Sequence, residues 1–208
     1  MNLYSAIYRN WHPLDTFFPE AECSVVNHPD DMQGPGILIV HGGADISPAL
    51  YGKGRSHRTF AEDHPSHRDS IEWALMHSAK QKNIFIFGIC RGAQMLCAAA
   101  GGYLIQDVDN HAGAAHMVVD DEGTLFSVNS LHHQMQAPWG VNHIILAKAH
   151  RKLSDYYLDE NTMVQVPEEP EAVFYPDFKG LGVQWHPEML NEKAVSNKWI
   201  KEKLEHLL

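Results

Sequence analysis

An α/β fold, a three-layer sandwich around a central and mostly parallel sheet, is what this sequence predicts. Three observations point to it. Short apolar runs alternate with helical patterns through the first half of the chain, and that alternation supplies the crossovers a parallel sheet needs. The run Ile84 to Ile89 is apolar apart from Gly88, as a strand buried on both faces should be. Glycines stand where two of these runs stop, at Gly42-Gly43 and around Cys90. In open α/β sheets such strand ends are where sites are built.

The elements follow in order. Leu3 to Tyr8 reads as a first strand and Ser24 to Val26 as a short second one, with little helix between Tyr8 and Ser24. Gly36 to Val40 is an apolar strand ending at the glycine pair. A polar loop spans about Ser47 to Ser66. Asp69 opens a helix to about Lys80, whose apolar positions are Ile71, Trp73, Ala74, Leu75 and Ala79. Strand Ile84 to Ile89 and helix Arg91 to Ala100 come next, and Gly101-Gly102 ends that helix. From His116 onward the pattern becomes short strands between turns: MVVD, TLFSVN, HIILAKA, MVQV, EAVFY and GLGVQW. Glu192 to Leu208 reads as an amphipathic helix. With 208 residues and no repeat or linker, residues 1–208 are expected to form one domain.

Composition narrows the function. The chain is 44% hydrophobic and 20% charged, with a formal net charge of -10. An acidic chain without basic runs argues against nucleic acid as a partner. Cys23, Cys90 and Cys97 are too few for a disulfide framework, which suits a reducing compartment. No signal peptide and no apolar run long enough to span a membrane are visible, so the expected location is the cytoplasm. Fifteen histidines raise the question of a metal. His57, His64 and His67 lack the tight pairing of a zinc site, and the sequence is expected to hold no metal and to need no cofactor.

Cys90 is the foremost candidate residue. Gly88 and Gly92 flank it at two residues on each side, and it sits between a strand and a helix. This is the cysteine counterpart of the G-x-S-x-G nucleophile elbow. A side chain at either flank would crowd so tight a turn, and a helix N-terminus favours negative charge. The alternative is a buried core cysteine, as free cysteines often are. A cysteine nucleophile needs a base, and the base an orienting group. His186 and Glu188, in GLGVQWHPE, lie two residues apart and so share a face of an extended segment.

GICRGAQ with QWHPE resembles the triad (class I) glutamine amidotransferase domain. HGGADISPALYGK and VNSLHHQM are similar to segments of the γ-glutamyl-γ-aminobutyrate hydrolases of peptidase family C26. Arg68-Asp69 and EAVFYPDFKGLGVQWHPE also fit, and the likeness runs from about Gly34 to Glu188. The resemblance implies a flavodoxin-like sheet and a catalytic Cys90, His186 and Glu188. It implies backbone N–H groups of Gly43 and Arg91 around the oxyanion, with the Arg91 side chain in a structural salt bridge. It also implies Gln94, Asn129, Ser130 and His132 around a small-molecule γ-glutamyl substrate, while Asp45, Pro48 and Tyr51 shape the adjoining loop. The implied reaction is hydrolysis of a γ-glutamyl amide through a thioester, releasing glutamate and an amine. A glutaminase subunit feeding ammonia to a separate synthetase is one alternative. Hydrolysis of a nucleotide-linked γ-glutamyl intermediate is another, and a synthetase partner or a homo-oligomer is left open. A non-catalytic module, or a cysteine peptidase or chaperone of a related fold, fits less well beside these motifs. Two positions depart from the pattern: His41 stands where proline is usual, and Lys53 where an acidic residue is common.

Overall fold

A computed structural model describes residues 1–7, 17–113 and 115–208. Nine strands form the main sheet, in the spatial order β2-β1-β3-β4-β14-β13-β10-β7-β8. In chain order they are β1 (Asn2–Ala6), β2 (Glu22–Val26), β3 (Gly36–Val40), β4 (Phe85–Ile89), β7 (His116–Asp120), β8 (Leu125–Val128), β10 (Ile144–Ala149), β13 (Pro170–Tyr175) and β14 (Gly180–Val183). From β2 to β14 the neighbours run parallel, and from β14 to β8 they run antiparallel. β5 (Tyr103–Ile105) pairs with β9 (Met135–Ala137), while β6 (Asp107–Val108), β11 (Tyr157–Asp159) and β12 (Thr162–Met163) form a third small sheet. The described helices are α1 (His67–Gln81), α2 (Arg91–Ala99) and α3 (Val195–Leu207).

Side chains on successive strand residues alternate between faces, and the core divides accordingly. Leu3, Ile37, Ile39, Phe85, Phe87, Leu181 and Val183 pack with Trp199, Ile200 and Leu204 of α3. Leu38, Val40, Ile84 and Ile86 pack with Leu75, Met76 and Ala79 of α1 and with Met95 and Leu96 of α2. The sheet thus lies between α1 and α2 on one side and α3 on the other, which is the expected α/β sandwich.

The helix ends follow their local chemistry. Ser66 caps α1: its Oγ accepts from the Asp69 N–H at 3.0 Å, and the Asp69 carboxylate accepts from the Ser66 N–H at 2.9 Å. This reciprocal pair is a capping box, so α1 starts at His67 rather than at Asp69. At the end of α2 the N–H of Gly102 reaches Cys97 O and that of Gly101 reaches Ala98 O, both at 3.0 Å. Gly101 has φ +95°, as the left-handed position of this Schellman turn requires.

Of the expected strand MVQV only Met163 lies in a strand, Thr162–Met163; Val164 still donates to Tyr157 O at 2.9 Å, and the assigned strand stops before it. The first strand ends at Ala6. Tyr8, and most of the stretch in which little helix was expected, lie outside the described residues. No described helix is long and apolar enough to cross a membrane.

Candidate active site

Three parallel strands end side by side. Val40 of β3 lies opposite Gly88 of β4, and Ile89 of β4 opposite Val183 of β14. The segments that follow carry Gly42-Gly43, Cys90 and His186, so one sheet edge receives all three.

Cys90 occupies the turn from β4 to α2, with φ 50° and ψ −106°. A non-glycine residue is seldom held there, and such backbone strain clusters at functional sites. The surroundings over-determine it. The Cys90 N–H donates to Val183 O at 2.7 Å, and the Cys90 carbonyl accepts from the Gln94 N–H at 3.0 Å. The flanking glycines let α2 press against the strands. A Cβ on Gly92 would stand 2.0 Å from Val40 O, and one on Gly88 2.6 Å from the Gly92 carbonyl.

His186 is buried, with Nδ1 2.6 Å from Glu188 Oε1. Asn129 fixes its backbone: the His186 N–H donates to Asn129 Oδ1 at 2.8 Å, and Asn129 Nδ2 donates to His186 O at 2.9 Å. Burial alone would lower the imidazole pKa. Hydrogen bonds with Cys90 and Glu188 outweigh it and push the value up to about 10. Gly42 lies against both partners. A Cβ there would stand 2.6 Å from His186 Cε1 and 3.6 Å from Cys90 Cβ, so the glycine makes room for the thiol–imidazole contact.

The raised pKa gives a sign for pH dependence. The stability that protonated His186 contributes is fully present below its ordinary 6.5 and is lost as pH rises toward about 10. The melting temperature should therefore fall across that window, and fall less steeply in Glu188→Gln. Equal slopes in thermal melts of the two proteins would count against the Glu188 contact.

The glycine segment is held by α1. Arg68 Nη2 donates to His41 O at 3.1 Å and to Gly42 O at 3.0 Å, while its Nε reaches Glu72 Oε1 at 2.9 Å. Arg91, the first residue of α2, is buried and pairs with both Asp69 and Glu72. The two residues that depart from the family pattern have partners too. His41 Nε2 lies 2.7 Å from Ser5 Oγ, and Lys53 pairs with Asp159 at 2.8 Å.

Two of the remaining expected site residues, Gln94 and His132, meet at one carbonyl. Gln134 O accepts from Gln94 Nε2 at 3.0 Å and from Gln184 Nε2 at 3.2 Å, and His132 Nδ1 lies 2.9 Å from it. Ser130 Oγ donates to His111 O. The side chains of Gln94, Ser130 and His132 are therefore engaged with backbone. Asp45 accepts from the Phe60 N–H at 2.8 Å, and His133 bridges Asp45 at 3.1 Å and Asp107 at 3.0 Å. Sequence reasoning assigned no role to Glu72, Gln134 or Asp107. The Arg68-Asp69 pair and the salt bridge expected of the Arg91 side chain both pointed to the buried ionic cluster. A cavity of about 240 Å³ beside the glycine segment is lined by Ala44, Asp45, Phe60, Arg68, Asp69 and Arg91, among others. A larger one of about 660 Å³ lies against α3 and contains none of these residues. Burial pushes the Cys97 thiol up to about 11.

The description peptidase C26 belongs to the family model that matches residues 32–188. The glutamine amidotransferase-like protein YvdE of Lactococcus lactis is 29% identical over 185 residues, covering 79% of this chain and 71% of that one. The γ-glutamyl-γ-aminobutyrate hydrolase of Escherichia coli O157:H7 is 29% identical over 180 residues, covering 74% of this chain and 63% of that one. Among solved structures, a glutamine amidotransferase from Thermotoga maritima superposes with TM-score 0.59 at 15% identity, covering 100% of this chain and 84% of that one. PurLQS from the same organism gives 0.61 at 13% identity, covering 100% and 99%. These superpositions establish the fold.

Proposed function

The chain belongs to the peptidase C26 family, and on that premise we propose that it hydrolyses a γ-glutamyl amide through a thioester on Cys90. The observation that carries this reading is a cysteine held at φ 50° beside an imidazole that is itself bonded to a carboxylate. Tight backbone geometry at a nucleophile and a base with its own orienting group are what acyl transfer requires.

The proton shared by Cys90 and His186 stands on His186, whose partners favour the imidazolium, and Sγ attacks the γ-carbonyl carbon. The carbonyl π electrons move to oxygen, where the backbone N–H groups of Gly43 and Arg91 receive the charge. Removing one donor of such a pair costs about 100- to 1000-fold in rate. The oxyanion then collapses, the C–N bond breaks, and His186 returns the proton to the departing amine. Water adds to the thioester with His186 again as base, the C–S bond breaks, and glutamate leaves. Glu188 holds the imidazole and offsets its transient positive charge. Gln94 spends its NH₂ on Gln134, which leaves Oε1 to accept from the glutamyl ammonium. The segment Asn129 to His132 offers backbone groups to the rest of that end. The cavity beside Gly43 takes the amine.

Purified chain should release glutamate from γ-glutamyl amines without any partner. His186→Ala should lose more activity than Glu188→Gln, because the first removes the base and the second its orientation. A coupled assay of glutamate across a panel of γ-glutamyl amines, glutamine included, checks this. Turnover that appears only with glutamine and only after a synthetase is added would replace the hydrolase with an ammonia donor.

A further inference from the structure

Three histidines and a glutamate outside the Cys90 region converge in the interior. His111 and His132 lie on two segments joined by the His132 N–H to His111 O bond at 3.1 Å and the bridge between Ala112 and Leu131. His116 comes from β7 and Glu171 from β13. Around Glu171 Oε1 stand His116 Nε2 at 3.1 Å, His111 Nδ1 at 3.4 Å and His132 Nε2 at 3.7 Å. Ligating atoms of His111, His116 and Glu171 all lie within 4.8 Å of one another. The side chains of His111, His132 and Glu171 are at most 1% exposed.

The partner of His132 settles which of its nitrogens carries hydrogen. His132 Nδ1 faces Gln134 O at 2.9 Å. A carbonyl only accepts, so Nδ1 is the N–H and Nε2 presents a lone pair. His111 Nε2 faces Glu169 at 3.3 Å. That carboxylate already accepts from the N–H groups of Leu153 and Ser154 and from the Tyr157 hydroxyl. His111 thus stands between two carboxylates, Nε2 toward Glu169 and Nδ1 toward Glu171, where a second proton or a metal ion balances their charge. The His132 Nε2 lone pair thus meets a carboxylate oxygen. Among the described residues, both ring nitrogens of His111, His116 Nδ1, His132 Nε2 and Glu171 Oε2 have no hydrogen-bond partner. Lone pairs facing an anion in a buried site repel unless a cation lies between them.

We propose that His111 Nδ1, His116 Nε2, His132 Nε2 and Glu171 bind one divalent cation of the zinc class. Imidazole and carboxylate bind zinc at roughly 2.0–2.2 Å in a tetrahedron, which sets ligand atoms about 3.4 Å apart. The three distances to Glu171 Oε1 bracket that spacing. The Glu169–His111 and Gln134–His132 contacts are the outer partners that orient metal-binding histidines. Four protein ligands close the site to water, so the ion is structural. It ties β7 and β13 to the segment Asn129–His132, and Asn129 in turn holds the backbone of His186.

Untagged full-length chain, loaded with zinc and freed of excess by gel filtration, tests it by metal content. One zinc per chain is expected in the wild type and in a His57→Gln, His64→Gln control, with loss of that zinc in His116→Gln and in Glu171→Gln. Cobalt in the wild type should give the intense visible bands of a tetrahedral site. Should the variants fail to fold, chelator-stripped wild type titrated with zinc against an indicator dye must still show saturable one-to-one binding. A wild type that retains no zinc, a His116→Gln protein that retains as much, or cobalt without tetrahedral bands would each overturn the site and leave a cluster sharing protons.

Discussion

Replacing Cys90 with alanine should abolish the proposed glutamate release, by a factor on the order of a million, the size of loss seen when a triad loses its nucleophile. The fold should survive, because the turn is held by backbone bonds to Val183 and Gln94 rather than by the thiol. A companion variant separates chemistry from strain. Alanine keeps the φ of 50° that costs an L residue about 1–3 kcal/mol. Glycine relieves that cost and gives back roughly 0.5–1 kcal/mol in chain entropy. Cys90→Gly should therefore be as inactive as Cys90→Ala and more stable by about 1 kcal/mol, a difference visible in thermal melts. Residual turnover near wild type in either variant would remove the thioester. A glycine variant less stable than the alanine variant would mean that the turn is not strained.

Arg91→Met is expected to give the largest loss of stability. The guanidinium is buried between Asp69 and Glu72, which are themselves buried. Methionine fills similar space but leaves carboxylates in the interior without their cation. Breaking a buried pair from one side costs about 3–5 kcal/mol, which lowers the melting temperature by roughly 10 °C in a chain of this size. Glu72 retains Arg68, so Asp69 is the more exposed to the loss. Adding Asp69→Asn and Glu72→Gln should recover a large part of it, since hydrogen-bonded amides no longer need the charge. A single variant that melts with the wild type would show that the cluster carries little. Activity should fall as well, because α1 positions the glycine segment through Arg68.

The parts of the site that sequence exposes are those written in adjacent residues. The run ending at Cys90 between two glycines dictates a strand, a sharp turn and a helix, and Gly36–Val40 matches its expected bounds. His186 and Glu188 are legible as a pair because two residues suffice to share a face. Other features depend on contacts across the chain. β5, β6, β9 and β11 have two or three residues each, too few for any period to show. Gln94, Ser130 and His132 are readable as neighbours of the pocket, but the carbonyls that engage their side chains are not. The histidine–glutamate cluster draws on four separated positions, whereas the closely spaced His57, His64 and His67 attract attention and do not meet the same centre. Ligand sets assembled by β7, β13 and two loops leave no local spacing to find.

The central claim is that Cys90 forms the covalent bond to the γ-glutamyl group. A glutamine-like chloroketone or diazoketone, followed by peptide mass spectrometry, tests it most directly. The account predicts one adduct per chain, on Cys90, with Cys23 and Cys97 unmodified and glutamate release lost in step. Modification of Cys23 or Cys97 instead, or full activity after Cys90 is labelled, would contradict it.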